Sequence, residues 1–225
     1  EGLFGPVMRV ITTKELIENK TLAEFRIKCL VLKYGDSTKK QVARSTYQQE
    51  MDFLVSHEKR NAFIKNLTLT RKGNTLVLFQ YVKKHGEPLY EQISKEAADG
   101  RRVFFVYGGV DAVTREEVRA ITEKENDAII IASYGTFSTG INIRNLHNVI
   151  FASPSKSRIR NLQSIGRGLR KGDNKKSATL YDISDDLCHK SWKNHTLKHF
   201  AVRVKMYNEE EFEYKIYNIG IENED

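Results

Sequence analysis

Five short apolar segments, separated by stretches with a helical pattern, constrain the fold of this chain more than any other feature. Each is rich in β-branched or aromatic residues and is bounded by polar residues or glycine; they are 75–79, 102–107, 128–132, 148–152 and 178–183. Continuous apolar runs of this length are typical of strands buried on both faces of a parallel sheet. Their alternation with helices predicts an α/β fold with helices on both faces and right-handed crossovers.

The segments between these runs indicate helices. Residues 82–98 and 158–169 carry apolar side chains at helical spacing, which predicts one face packed on the sheet. Thr114 and Glu117 form a capping-box pattern, which predicts a helix that starts there and runs through Ile121.

The two ends of the chain are less regular. Residues 27–32 predict a strand, 33–40 a loop and 47–69 one long helix. Near the other end, 184–207 predict a basic helix and 212–219 a short strand. Aromatic residues at helical spacing in that last helix are expected to pack in the core rather than to bind nucleic acid.

Composition narrows the class of protein. Of the 225 residues 40% are hydrophobic, which is enough for a core, and no apolar run is long enough to span a bilayer. Cys29 and Cys188 are far apart and belong to no Cys/His array, so we expect no metal site and a reducing, cytoplasmic location without membrane association. The net charge of +8 slightly favours a polyanionic partner such as nucleic acid over an ordinary basic surface.

The segment 163–170, Gln-Ser-Ile-Gly-Arg-Gly-Leu-Arg, is the strongest local signal for chemistry. On a helix Gln163, Arg167 and Arg170 share one face, because they are spaced by four and three. Two arginines on one face can clamp a phosphate through bidentate hydrogen bonds, and Gly166 allows a ligand to approach closely. The alternative is a solvated basic face.

A second signal is the hydroxyl-rich stretch that follows the predicted strand 128–132. Ser133, Thr136, Ser138 and Thr139 offer hydroxyl groups, and Gly140 allows close approach of the backbone. This position is the carboxyl end of a strand, where open α/β sheets bind ligands, and hydroxyls with backbone amides are what phosphodiesters require. The alternative is a loop that caps its own helix.

Other polar residues follow the predicted strands 75–79 and 102–107. Gln80 comes directly after the first, and Gly108 with Gly109 after the second, where a glycine pair can present backbone amides to a phosphate. Tyr107, directly before this pair, fits a role in core packing as well as a role in the site. The basic run 83–85 is interpreted as solvated charge.

Four of these segments resemble the motifs of superfamily 2 helicases, in the family's order. Residues 75–80 resemble motif IV, and 107–109 with Arg115 resemble the histidine-glycine segment and its downstream arginine. Residues 133–143 resemble motif V, and 163–170 resemble motif VI. The four cover about residues 70–185. Shorter similarities at 4–6, 47–50 and 60–61 extend the resemblance to members that process branched DNA in recombination, repair and replication-fork regression.

The resemblance implies a RecA-like sheet, the fold of P-loop NTPases, with residues 1–25 as a connection, 26–207 as the C-terminal motor domain and 208–225 as an extension. It implies arginine fingers at Arg167 and Arg170. Nucleotide contacts are implied at Gly140, Asn142, Gln163 and Gly166, although many relatives have Asp where this chain has Asn142. Contacts to the nucleic-acid backbone are implied at Gln80, Gly108, Gly109, Ser133, Thr136, Ser138 and Thr139.

The sequence lacks half of an ATPase site. It contains neither the Gly-x-x-x-x-Gly-Lys-Ser/Thr phosphate loop nor an acidic magnesium box, so we expect a preceding motor domain of the same protein to bind ATP and Mg²⁺. The isolated chain is predicted to be inactive. Branched or single-stranded DNA, with RNA not excluded, is the expected partner of a monomer. The alternatives are a non-catalytic nucleic-acid-binding α/β domain and an enzyme acting on another phosphate ligand, for which no acid/base pair stands out.

Overall fold

All strands in the described part of the chain run parallel in one sheet. The computed structural model describes residues 24–108, 111–138, 145–153, 169 and 177–222. Within these residues the sheet has seven strands in the order β3-β4-β2-β5-β6-β1-β7. The strands are β1 (Glu24–Lys33), β2 (Thr75–Phe79), β3 (Val103–Val106), β4 (Ile129–Ser133), β5 (Asn148–Phe151), β6 (Ser177–Asp186) and β7 (Glu213–Gly220).

The five apolar runs are confirmed as strands β2 to β6. Every residue of β2 and β5 is buried, because these strands lie inside the sheet and are covered on both faces. The predicted strand 27–32 is confirmed within β1, and 212–219 corresponds to β7, which pairs with β1 at the edge of the sheet. The segment predicted as a C-terminal extension thus includes a strand of the main sheet.

Helices cover both faces, as predicted. They are α1 (Asp36–Val42), α2 (Tyr47–Ser56), α3 (Glu58–Thr70), a π-helical turn (Val82–Gly86), α4 (Glu87–Glu96), α5 (Ala112–Lys124), α6 (Tyr134–Ser138) and α7 (His195–Glu209). Alternate residues of β2 divide the core into two clusters. Val77 and Phe79 join the α3-side core, which includes Leu54 of α2 and Ile64 of α3, and Leu76 and Leu78 join the α7-side core, which includes Phe200.

The prediction of one helix over 47–69 was wrong. The chain breaks at His57, whose ring accepts a hydrogen bond from the backbone N–H of Arg60 and caps α3, while Thr46 and Gln49 form a capping box that starts α2. The prediction of a loop over 33–40 was also wrong, because α1 begins at Asp36.

Two other helix starts differ from prediction. Helix α5 begins at Ala112, two residues before the predicted start at Thr114. Helix α7 begins at His195 rather than at 184, because β6 continues to Asp186 alongside β1. The carboxylate of Glu50 in α2 caps α7 by accepting the backbone N–H groups of His195 at 2.9 Å and Thr196 at 2.7 Å. A cap from so distant a position leaves no local signal.

Helix α7 packs on the sheet through its aromatic residues, as predicted. Phe200 and Tyr207 are buried in the α7-side core. Arg203, fully buried, donates two hydrogen bonds to the carboxylate of Asp182 in β6, at 2.8 and 2.9 Å. Among the helices of the described residues, none is long and apolar enough to cross a membrane.

Candidate functional site

The polar residues predicted to bind ligands gather at one edge of the sheet. Because the strands are parallel, the carboxyl ends of β2, β4 and β5 meet there. Phe79 pairs with Ser133 across β2 and β4, which brings Gln80 close to the start of α6. Gly108 follows β3, the neighbour of β4 on its other side. Gln80, Gly108, Ser133 and Thr136 therefore belong to a single edge.

Ser133 and Thr136 interact with each other at this edge. Their hydroxyl oxygens are 2.8 Å apart, and the backbone N–H of Thr136 donates to the Ser133 hydroxyl at 3.3 Å. Thr136 is buried and Ser133 is half-buried. The sequence was compatible with either a phosphate site or a loop that caps its own helix, and these hydrogen bonds are the capping arrangement. They orient the Ser133 hydroxyl at the end of β4.

Gly108 and Gln80 are both exposed at this edge. A Cβ at Gly108 would meet no atom within 4 Å, so the described part of the protein leaves open space beside this backbone. Tyr107, in contrast, packs its ring 5.0 Å from that of Phe105, in the α3-side core, which supports the packing interpretation.

Hydrogen bonds from the buried Ser153 stabilise this edge of the sheet. Its hydroxyl accepts a hydrogen bond from the backbone N–H of Gln80 at 3.0 Å. The Tyr134 hydroxyl donates to the carbonyl of Ser153 at 3.0 Å, and the Ser153 N–H donates to the carbonyl of Leu78 at 3.3 Å. Ser153 is fully buried. The chain is therefore fixed at the last residue before the segment that leads to Arg167 and Arg170.

A buried histidine continues this network into the core. His85 Nε2 lies 2.9 Å from Asn61 Oδ1, and Nδ1 lies 2.6 Å from the Ser153 hydroxyl. The amide of Asn61 donates to the carbonyl of Val55, so its oxygen is the acceptor for Nε2–H. Nδ1 then accepts from the Ser153 hydroxyl, whose oxygen accepts from Gln80. All these hydrogen bonds are satisfied by one neutral tautomer of His85.

Electrostatics favours the same neutral form. Burial lowers the pKa of His85 to about 3, and the positive charge of Arg60 acts in the same direction. The imidazole is therefore a neutral relay of hydrogen bonds at physiological pH.

Arg60 ties together the carboxyl ends of β5 and β6. Its Nη1 donates to the carbonyl of Ala152 at 2.7 Å, and its Nε and Nη2 donate to the two carboxylate oxygens of Asp185 at 2.9 and 3.1 Å. Tyr34 donates its hydroxyl to the same carboxylate at 2.7 Å. Burial acts to lower the pKa of Arg60, but the charge and hydrogen bond of Asp185 act against it and the pKa is raised, so the guanidinium stays charged.

The two predicted arginine fingers and all four predicted nucleotide contacts lie outside the described residues. So do two of the predicted nucleic-acid contacts; the full set is Arg167, Arg170, Gly140, Asn142, Gln163, Gly166, Gly109 and Thr139. Ser138 is described only by its backbone, in α6. Leu169, which separates Gly168 from Arg170, is fully buried in the α7-side core. It matches the apolar spacing predicted for 158–169.

Sequence reasoning missed the relay of Asn61, His85 and Ser153. Interpreting His85 as solvated charge was wrong, since it is fully buried, whereas Lys83 and Lys84 are exposed as predicted. A usable signal was present for Ser153: it follows a buried strand at its carboxyl end, the same criterion that selected Ser133.

Comparison with known proteins confirms the predicted resemblance. Residues 58–172 match the family described as helicase conserved C-terminal domain. The ATP-dependent DNA helicase uvsW of Enterobacteria phage T4 is 34% identical over 233 residues, covering 98% of this chain and 46% of that protein. A putative ATP-dependent RNA helicase, QP509L of African swine fever virus, is 29% identical over 117 residues, covering 50% of this chain and 21% of that protein. The chain thus spans less than half the length of these relatives.

Solved structures agree. The crystal structure of T4 UvsW matches with a TM-score of 0.74 and 34% identity, over 89% of this chain and 42% of that chain. The C-terminal domain of the DEAD-box protein Dbp5 matches with a TM-score of 0.50 and 13% identity, over 88% of this chain and 90% of that domain, which shows a common fold. The RecA-like fold predicted from the resemblance is confirmed.

Proposed function

The chain belongs to the helicase conserved C-terminal domain family, and on that premise we propose that it is the second motor domain of an ATP-dependent DNA helicase acting on branched DNA in recombination, repair and replication-fork processing. The observation that carries this proposal is the convergence of Gln80, Gly108 and Ser133 at one edge of the sheet. Support for DNA comes from the similarity to the phage T4 DNA helicase over almost the whole chain. RNA stays an alternative because of the viral RNA helicase.

The edge of the sheet is the proposed grip on the nucleic-acid backbone. Gln80 and Gly108 are exposed there, and Ser133 offers a hydroxyl beside them. The other proposed contacts are Gly109, Thr136, Ser138 and Thr139. Backbone amides and hydroxyls bind phosphates without reading sequence, which suits a motor that moves along any sequence.

The arginine segment is the proposed contribution to ATP hydrolysis. Arg167 and Arg170 would stabilise the charge that develops on the transferred phosphoryl group, with Gly140, Asn142, Gln163 and Gly166 beside the nucleotide. ATP and Mg²⁺ would be bound mainly by a preceding motor domain of the same protein, where the metal would neutralise phosphate charge. Support comes from two fixed positions: Ser153, which precedes this segment, is held by hydrogen bonds, and Leu169, which lies between the two arginines, is buried.

The proposed nucleic-acid grip and the proposed arginine fingers belong to the same domain, which explains how hydrolysis could drive movement. The segment with Arg167 and Arg170 follows directly from Ser153, and Ser153 binds the backbone of Gln80. Closure of the two motor domains around ATP would therefore move the nucleic-acid grip together with the arginines. We expect the intact protein to work as a cytoplasmic monomer, with residues 26–207 and strand β7, which belongs to the same sheet, forming this motor domain.

The test is Arg170→Ala in the protein that contains both motor domains. ATP binding should persist, while hydrolysis falls by about a thousandfold or more. Arg102→Ala is the matched control, since Arg102 is a half-exposed arginine directly before β3 and its replacement should have no effect. Hydrolysis near the wild-type rate in Arg170→Ala would overturn the arginine role.

Two further measurements separate the alternatives. Residues 1–225 alone should hydrolyse no ATP, so robust turnover would contradict a shared site. In the intact protein branched DNA should stimulate hydrolysis more than RNA of matching sequence. Nucleic-acid binding without any stimulated hydrolysis would instead favour a non-catalytic binding domain.

A further inference from the structure

The open face of strands β1 and β7 carries a row of basic residues far from the edge described above. Alternate residues of a strand share a face, so Arg26 and Lys28 of β1 lie on the same face as Leu30. Leu30 is covered within the α3-side core, but Arg26 and Lys28 border an open groove of about 240 Å³. Lys215 and Tyr217 of β7 line the same groove.

Two lysines lie side by side in this groove. Lys28 and Lys215 are register partners in the parallel pair of β1 and β7. Neither forms an ion pair with any residue that the structure describes. Like charges on neighbouring strands destabilise a sheet, so the fold retains an electrostatic cost here that a bound anion would relieve.

The carboxylates nearby only partly neutralise the patch. Arg26 pairs with Glu24, and Glu213 is the register partner of Arg26 in β7. Three cations, Arg26, Lys28 and Lys215, thus face two carboxylates, and neither lysine is paired with one in the described part of the chain.

Arg71, which follows α3, adds a cation over a third strand, β6. Tyr181 of β6 is the register partner of Lys28, and Lys28 Nζ lies 5.9 Å from the centre of its ring. Arg71 lies over the same ring at 5.5 Å and donates from Nη1 to the Tyr181 hydroxyl at 3.0 Å. No described residue accepts a hydrogen bond from the buried Arg71 Nε. With strands about 4.8 Å apart, the row from Lys215 to Tyr181 spans roughly 10 Å.

An exposed aromatic ring adjoins this basic row. Tyr217 is 41% exposed and lies two residues along β7 from Lys215, on the same face. Basic side chains that follow a backbone, next to a ring on which a base can stack, are the combination that binds single-stranded nucleic acid.

We propose that this face is a second binding surface for single-stranded nucleic acid, with phosphates on Lys28, Lys215 and Arg26 and a base on Tyr217. The choice of nucleic acid as the polyanion rests on the proposed helicase function. Along β1 the lysine row is five residues from the carboxyl end of the strand, roughly 17 Å. A branched substrate offers more than one strand, so this surface can hold a strand other than the one gripped at Gln80.

The experiment is a salt titration of binding by the full-length protein with Lys28→Gln and Lys215→Gln. A fluorescein-labelled 20-nucleotide oligothymidine reports binding by anisotropy. Loss of two phosphate contacts should reduce the slope of log affinity against log salt by about 1.4. Lys40→Gln with Lys95→Gln, a pair of exposed lysines elsewhere, should leave the slope unchanged, and replacement of Lys28 and Lys215 by Arg should restore it.

Tyr217→Ala separates stacking from charge. It should weaken binding of the single strand by about tenfold or more, but leave binding of a duplex of matching length unchanged. Equal loss for both would indicate duplex binding and overturn the assignment to single strands.

An unchanged salt slope in the folded Lys28/Lys215 variant overturns the proposal. Because neutralising adjacent like charges removes repulsion, the melting temperature should not fall. If the double variant does unfold, Lys215→Gln alone, at the exposed edge strand, should still lower the slope by about 0.7. If the salt slope is unchanged but DNA still stimulates ATP hydrolysis, only the second binding surface is overturned and the proposed helicase function stands. If DNA does not stimulate hydrolysis in the wild type, the helicase function is overturned by that result alone.

Discussion

The Nδ1 atom of His85 lies 2.6 Å from the hydroxyl oxygen of Ser153, and this contact joins the core to the edge of the sheet that carries the candidate site. On one side His85 binds Asn61 of α3, and on the other Ser153 binds the backbone of Gln80. Helix α3, for which no ligand contact is proposed, thereby supports the position of a residue proposed to touch nucleic acid. His85 is a positioning residue by this geometry.

Replacing His85 by Ala should destabilise the protein by about 2 to 4 kcal/mol. The change leaves the buried polar atoms of Asn61 and Ser153 without their partner and opens a cavity. Urea unfolding monitored by circular dichroism measures the loss. Lys84→Ala, one residue away and 62% exposed, should change stability by no more than about 0.5 kcal/mol. Equal effects of the two changes would argue against the relay.

The buried imidazole also predicts how stability depends on pH. The unfolded chain protonates His85 as the pH falls through 6.5, whereas the folded protein resists protonation until about pH 3. Its contribution is therefore fully present above pH 6.5 and is lost progressively as the pH falls towards 3. Between pH 7.5 and 5 the wild type should lose about 2 kcal/mol through this group.

The variant His85→Gln isolates that contribution, because glutamine does not titrate. The difference in unfolding free energy between wild type and His85→Gln should shrink by about 2 kcal/mol from pH 7.5 to 5. A difference that stays constant over this range would show that His85 is not held neutral.

The pair of Arg60 and Asp185 predicts a non-additive double substitution. Removing either side chain alone leaves an uncompensated buried charge and should cost about 3 to 5 kcal/mol. Arg60→Met combined with Asp185→Leu should cost clearly less than the sum of the two single changes, because no charge stays buried. Unfolding free energies of the four proteins test this, and simple additivity would contradict the pairing.

Replacement by alanine should affect protein stability at Gly86 but not at Gly108. A Cβ at Gly86 would lie 2.6 Å from the Phe79 ring, so Gly86→Ala should destabilise by about 1 to 3 kcal/mol. A Cβ at Gly108 meets open space, so Gly108→Ala should keep the melting temperature but weaken nucleic-acid binding if the backbone contacts a phosphate. Unchanged affinity would remove Gly108 from the proposed grip; Gly220→Ala, with similar space, serves as its control.

The strands were predictable because their signal is local. A strand buried on both faces is apolar at nearly every position, and β2 and β5 follow this pattern over their full length. The sequence placed Gln80, Gly108 and Ser133 each directly after a predicted strand, and the parallel order of the strands brings these ends to one edge. The family motifs added the order and roles of those segments.

The features that escaped prediction depend on residues distant in the chain. The start of α7 is capped by Glu50, which is 145 residues before His195. The break at His57 is invisible in the apolar pattern, because buried residues continue on both sides of it. His85 follows two exposed lysines and looks solvated until the π-helical turn points it at Ser153. Such interactions follow from the tertiary fold, so no window of sequence contains them.

The place of β1 in the sheet has a consequence for how the protein is made. Its neighbours are β6 and β7, and its first residue, Glu24, pairs with Ser177. A ribosome adding about 5 to 20 residues per second needs roughly 8 to 30 s to reach that partner. Through that interval Phe25 and Ile27 have no strand beside them, so the nascent chain has to keep an apolar strand from aggregating until residues 177–220 emerge.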